Sequence, residues 1–182
     1  PQCRERHRIA TSGGLRRQDA IAAMRWLAAR PGTPPGGIAL LGWSDGGSTV
    51  VAAGRVAPDL PASLLRRAVA FYPGCTARNR DAATFHPYAP LLVLIGESDD
   101  WTPAAPCKAL AATVAAHGDP MSIVTYPDTY HDFDNPGIKS KRVRKEVPNG
   151  VNPGHGVTVA PNLQARDDAR KRVAAFFAEH LR

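Results

Sequence analysis

The stretch IALLGWSDGGSTVVAAG, residues 38 to 54, constrains the fold more than any other part of this 182-residue chain. Apolar residues from Ile38 to Leu41 run into Gly42, Trp43, Ser44, Asp45 and Gly46, and an alanine-rich segment follows. Without polar alternation, Ile38 to Trp43 reads as a short strand buried on both faces. Residues 46 to 57 read as a helix ended by Pro58. A strand that hands over to a helix within so few residues belongs to a sheet whose strands run parallel, with helices carrying the chain back.

The remaining segments repeat that alternation. LRRQDAIAAMRWLAAR, residues 15 to 30, places Leu15, Ile21, Met24, Leu27 and Ala28 near helical spacing; Thr11 and Ser12 are candidate caps and Pro31-Gly32 a stop. Strands are expected at 67–73, at LLVLIG (91–96) and at MSIVTYP (121–127), with a helix from Pro103 to His117 between the last two. A polar segment from about Tyr130 to Asn162 has no clear period. A last helix, 163–181, sets Val173, Phe176, Phe177 and Leu181 on one side. There is no internal repeat.

Charge and cysteine content exclude more than they identify. The net charge of +7 favours anions in general, but no basic helix, zinc pattern or aromatic RNA-binding strand accompanies it, so no nucleic-acid partner is expected. KSKRVRK, residues 139 to 145, is expected to be a solvated loop face. No apolar run approaches the roughly 20 residues of a membrane span, so no membrane partner is expected. The three cysteines, Cys3, Cys75 and Cys107, lack metal-ligand spacing, and no metal is expected. Cys75 and Cys107 both follow strands near one sheet edge. They are expected to be buried thiols, with a disulfide as the alternative.

Ser44 sits in a Gly-x-Ser-x-Gly turn between strand and helix. Such a turn pushes a hydroxyl out above the strand end, and Gly42 and Gly46 are expected where side chains would collide. Gly47 would let the helix lie close to the sheet. A serine hydroxyl needs a base for its proton and donors for the oxyanion it creates. The Asp45 backbone N–H, at the start of the helix, is one candidate donor. The Asp45 side chain is expected to face solvent. The plain alternative is a helix cap with no chemistry.

Partners for Ser44 are expected in the order serine, acid, histidine along the chain. Strand 91–95 leads into GESDDWTP, giving Asp99 or Asp100, and strand 121–126 into PDTYHDFD, giving His131. Parallel strands deliver both loops to the rim that carries Ser44. The other histidines fit less well. His86 precedes the acid, His117 ends a helix before Gly118, His155 lies in the polar segment and His180 in the last helical turn. Trp43 and Trp101 flank serine and acid and could each line a substrate pocket or simply pack. Tyr130 is expected to pack.

LLGWSDGGS, FYPG, LLVLIGESDDWTPAAPC and YPDTYHDFD together resemble the dienelactone hydrolase family of the α/β-hydrolase superfamily. The resemblance runs over most of the chain. It implies one three-layer α/β domain over residues 1–182, a mainly parallel sheet with helices on both faces. Members carry several strands before the nucleophile strand, so the N-terminal strands of the fold, and the loop giving the second oxyanion donor, are expected to be missing here. The family's D-x-x-x-P segment matches Asp99 and Pro103, and its histidine stretch matches His131 and Phe133. The name-giving members use a cysteine where this chain has Ser44.

The implied activity is therefore a serine hydrolase with a Ser44–His131–Asp99 triad. It would cleave an ester, lactone or related acyl bond of a small molecule through an acyl-enzyme, with no cofactor. The rival readings are a non-catalytic binding domain with relic triad residues, and an acyltransferase or peptidase using the same triad. Substrate identity, oligomeric state and compartment are not encoded in these motifs.

Overall fold

A computed structural model describes residues 10–33, 37–59 and 64–179. Cys3, His180 and Leu181 lie outside the described residues. In chain order the elements are α1 (Leu15–Ala28), β1 (Ile38–Trp43), α2 (Asp45–Ala53), β2 (Leu65–Phe71), α3 (Thr76–Arg80), β3 (Leu91–Gly96), α4 (Ala104–Ala116), β4 (Met121–Tyr126), β5 (Arg142–Arg144), β6 (Val157–Val159) and α5 (Leu163–Ala178). A 3₁₀ turn, Ala82–Thr84, precedes β3.

Strands β1 to β4 form one parallel sheet in the order β1-β2-β3-β4. Because each crossover moves the chain one strand in the same direction, right-handed connections put α2, α3 and α4 on one face. Helix α1 packs on α2, which lies over β1 and β2, and α4 packs on β3 and β4. Helix α5 closes the other face, completing the three-layer α/β arrangement. It is tied to the sheet through Arg67, whose guanidinium lies 4.5 Å from the Phe176 ring centre and 3.0 Å from the Glu179 carboxylate.

The unbroken apolar run of β3 is explained by its place. All six of its residues are buried, and β2 is buried except at Arg66. Strand β1 departs from expectation. Among the described residues it is an edge strand, and Ala39, Leu41 and Trp43 are exposed on the face opposite α2, while Leu40 and Gly42 alternate toward α2. Four apolar residues in a row look alike whether a strand is central or peripheral.

Other expectations shift with local packing. Helix α2 stops at Gly54 rather than Pro58. Thr11 and Ser12 do not cap α1 with their side chains. The Thr11 carbonyl accepts from the Gly14 and Arg16 amides, while the Ser12 hydroxyl donates to Asp45. The polar segment contains the antiparallel pair β5–β6, whose three-residue strands are too short to show a period. The 139–145 stretch, which includes β5, is exposed apart from the half-buried Arg144. Among the described residues, no helix is long and apolar enough to cross a membrane.

Cys75 and Cys107 are bonded to each other, with Cα atoms 5.0 Å apart, so the expected buried thiols are instead a buried disulfide. Pairing of β2 with β3 brings the loop after β2 against the first turns of α4, a proximity that a separation of 32 residues does not reveal. Closing a loop of that length stabilises the fold by roughly 3–4 kcal/mol on chain-entropy grounds. Thiol titration of denatured, unreduced protein should therefore find one reactive thiol. Three would overturn the bridge, and reduction should lower the melting temperature.

Candidate active site

The carboxyl ends of β1 to β4 share one rim, and each is followed by a residue of the site. The turn after β1 holds Ser44 at φ 52° and ψ −118°, a backbone conformation costly for any residue with a Cβ. Among the described residues, the non-glycine residues with positive φ are Ser44, Tyr72, Asp128 and Asp132. Three of them adjoin the site, where strain of this kind concentrates.

The glycines of the turn divide differently than the motif suggests. A Cβ on Gly42 would strike the backbone of Gly46, and one on Gly47 would lie 2.6 Å from the Phe71 carbonyl oxygen. A Cβ on Gly46 would meet nothing within 4 Å. Gly46 is therefore not required by crowding, contrary to expectation. Close approach of α2 to β2 makes Gly47 the demanding position instead.

His131 Nε2 lies 2.9 Å from Ser44 Oγ, and His131 Nδ1 lies 2.8 Å from Asp99 Oδ2. The histidine is fully buried and Asp99 nearly so, while Ser44 is half-exposed. Asp99 Oδ1 accepts from the Trp101 and Thr102 amides at 2.9 and 2.8 Å. The Thr102 hydroxyl lies 3.0 Å from both Asp99 Oδ2 and the Tyr72 carbonyl. A carboxylate removed from water needs such partners to offset its lost hydration.

Asp100 has a different task. Its carboxylate accepts from the Thr158 amide and hydroxyl, both at 2.7 Å, and its carbonyl accepts from the Val151 amide. It anchors the β5–β6 segment, and β6 in turn bridges His131 through Val159. Asn162, the cap of α5, donates to Thr129 Oγ1 at 2.7 Å and so braces the same histidine loop.

The imidazole lies between two aromatic rings, with ring centres 4.5 Å from Tyr72 and 4.6 Å from Trp101. Tyr72, buried in the FYPG stretch, donates to Asp134 Oδ1 at 2.7 Å. Burial above all, and then the Asp134 charge, push its phenol far above the usual range, so it remains a donor. Trp43 Nε1 donates to the other Asp134 oxygen at 2.8 Å. One carboxylate from the histidine loop thereby ties down the residue before the serine and the ring against the histidine. Asp134 and Tyr72 were missed in the sequence, because only the register of β1, β2 and the histidine loop makes them neighbours.

Trp43 is half-exposed and stacks on Phe71, and with Tyr72, Asp132, Asp134, Asn135 and Pro136 it borders a cavity of about 300 Å³. Trp101 packs on His131 with Arg144 above it. A larger cleft of about 590 Å³ lies between β4 and α5, but its walls include neither Ser44 nor His131.

The Asp45 side chain does not simply face solvent. It lies 3.0 Å from the Ser12 hydroxyl and 2.9 Å from the Arg16 guanidinium, because α1 lies against α2. Tyr130 is a polar surface contact, with its hydroxyl 2.6 Å from Lys141. His155 is exposed, and His86 and His117 lie at the opposite rim.

The parallel sheet with its helices and the strained serine turn between strand and helix are those of an α/β-hydrolase type of domain. The dienelactone hydrolase family profile matches residues 6–181, and the chain belongs to that family. Three solved structures illustrate the likeness. A Klebsiella pneumoniae protein provisionally assigned as a dienelactone hydrolase is 20% identical, with a TM-score of 0.66 over 90% of this chain and 60% of its own. A dienelactone hydrolase-like promiscuous phosphotriesterase from metagenomic libraries is also 20% identical, with a TM-score of 0.66 over 90% of this chain and 61% of its own. Esterase 2 of Thermogutta terrifontis, solved phosphorylated by paraoxon, is 22% identical, with a TM-score of 0.58 over 72% of this chain and 58% of its own. The chain thus spans about 60% of the length of the first of these. Among curated proteins there was no match.

The glycine geometry makes a sharp prediction. Gly47→Ala should destabilise the domain, since it presses on backbone that cannot yield. Gly46→Ala should be neutral or stabilise by up to about 1 kcal/mol, from improved helix propensity. Chemical denaturation of the two variants decides it. Equal effects would refute the assignment of crowding to position 47.

Proposed function

We propose that this chain hydrolyses a carboxylic ester, lactone or related acyl bond of a small molecule, with Ser44 as nucleophile, His131 as general base and acid, and Asp99 as the partner of the imidazole. The observation that carries the reading is the continuous contact from Ser44 Oγ through the imidazole to a buried, fully coordinated carboxylate, drawn from three different strand ends. Family membership supports the same reaction class.

In this reading His131 Nε2 takes the Ser44 proton as Oγ attacks the substrate carbonyl. The resulting oxyanion lies toward the Asp45 N–H, at the positive end of α2. Asp99 accepts the Nδ1–H, fixes the tautomer and stabilises the imidazolium. The imidazolium returns its proton to the departing alkoxide and leaves an acyl group on Ser44. A water then gives its proton to His131 and attacks the acyl carbon. The acid departs and Ser44 recovers its proton. Trp101 and Tyr72 keep the ring in plane for both transfers. The cavity beside Trp43 is the proposed acyl or leaving-group pocket.

A phosphorylated esterase among the structural neighbours suggests the direct probe, since a phosphonate captures only an activated hydroxyl. A fluorophosphonate should label this protein at Ser44. Ser44→Ala and His131→Ala should each lower kcat/KM for p-nitrophenyl acetate by at least about 10³-fold, and Asp99→Asn by about 10³- to 10⁴-fold. Wild-type rates in the first two would sink the reading. Folded protein with neither labelling nor turnover would favour a binding domain. Acyl transfer to added amines or alcohols in preference to water would favour a transferase.

A further inference from the structure

We propose a divalent-metal site, of the kind that takes zinc, formed by His86, His117 and Asp119 at the rim of the sheet opposite Ser44. The three donor atoms lie within 4.8 Å of one another, and His86 Nδ1 is 2.6 Å from Asp119 Oδ2. The rings of His86 and His117 face each other with centres 5.3 Å apart. Two imidazole nitrogens and a carboxylate oxygen form a donor set for a borderline ion, with a fourth position left to water.

The register of β3 on β4 creates the cluster. Leu91 pairs with Met121, so the loops entering these strands emerge side by side. Both loops are held by backbone bonds. The His86 carbonyl accepts from the Val56 amide at 2.8 Å, and the Tyr88 amide donates to the Gly54 carbonyl at 2.7 Å. On the other side, α4 ends at His117, and Gly118 takes φ 78°. The Asp119 amide then donates to the Val114 carbonyl and the Gly118 amide to the Ala115 carbonyl. This paired closure turns the chain back so that Asp119 stands beside His117.

Three features separate this cluster from an ordinary surface ion pair. The His117 ring has no hydrogen-bond partner among the described residues, although it lies against His86. The negative end of α4 adds a favourable field for a cation. The Asp119 carboxylate is only a quarter exposed, so it stands partly withdrawn from solvent beside both rings. Ligands on tetrahedral zinc, at bond lengths of about 2.0–2.1 Å, lie roughly 3.4 Å apart, so closing requires movement of no more than about 1.5 Å. Arg55, which bridges Pro87, has its guanidinium at the Thr84 carbonyl and hydroxyl.

The length of β3 sets the site about 20 Å from the catalytic rim. Its role is therefore to clamp the entry loops of two core strands. It rests on geometry independent of the hydrolase reading.

The chelator-stripped protein, carrying Cys3→Ser and His7→Ala to remove unrelated donors, is titrated with zinc chloride at neutral pH by calorimetry. One equivalent should bind with micromolar affinity and raise the melting temperature. His86→Ala, His117→Ala and Asp119→Ala should each weaken binding at least tenfold, while His131→Ala leaves it intact. Circular dichroism checks that each variant is folded. Absence of saturable binding would overturn the site, as would binding indifferent to all three substitutions or abolished only by His131→Ala. Failure here leaves phosphonate labelling of Ser44 untouched.

Discussion

The buried carboxylate of Asp99 is the point on which the rim depends. A carboxylate so far from water costs free energy unless its oxygens are hydrogen-bonded. Here they are met by two amides of its own loop, by the Thr102 hydroxyl and by the His131 imidazole. The Thr102 hydroxyl also lies 3.0 Å from the Tyr72 carbonyl, and its single proton serves one of these two acceptors at a time, which sets the loop after β3 against the end of β2. Placement of the imidazole against Ser44 follows from satisfying that one acid.

Rigidity around it comes from several directions. Asp134 holds Trp43 and Tyr72, Asp100 holds the β5–β6 segment, Asn162 holds Thr129, and the Cys75–Cys107 bridge fastens the loop after β2 to α4. Such redundancy allows positive φ at Ser44, Tyr72 and Asp132 to persist, since each strained residue is over-determined by its neighbours. The sheet supplies the frame and the loops supply the constraints.

The two rims of that sheet gather different side chains for a simple reason. At the carboxyl ends, the turn of Ser44, the loop of Asp99 and the loop of His131 converge. At the amino ends, the loops entering β3 and β4 bring two imidazoles and a carboxylate together. Parallel strands make this division natural, because every loop of one kind emerges on the same side.

What the sequence determined by itself is what short-range physics encodes. The apolar runs of β2 and β3, the glycines that admit the serine turn, and the order of Ser44, Asp99 and His131 after β1, β3 and β4 were legible because each is a local pattern or a consequence of parallel topology. Tertiary structure alone decided the exposure of β1, the separate tasks of Asp99 and Asp100, the spare room at Gly46, the disulfide, and the networks of Tyr72 and Asp134. These depend on strand register and on which face is covered. Residues tens of positions apart meet only when the sheet pairs, and no local pattern in the chain records that distance.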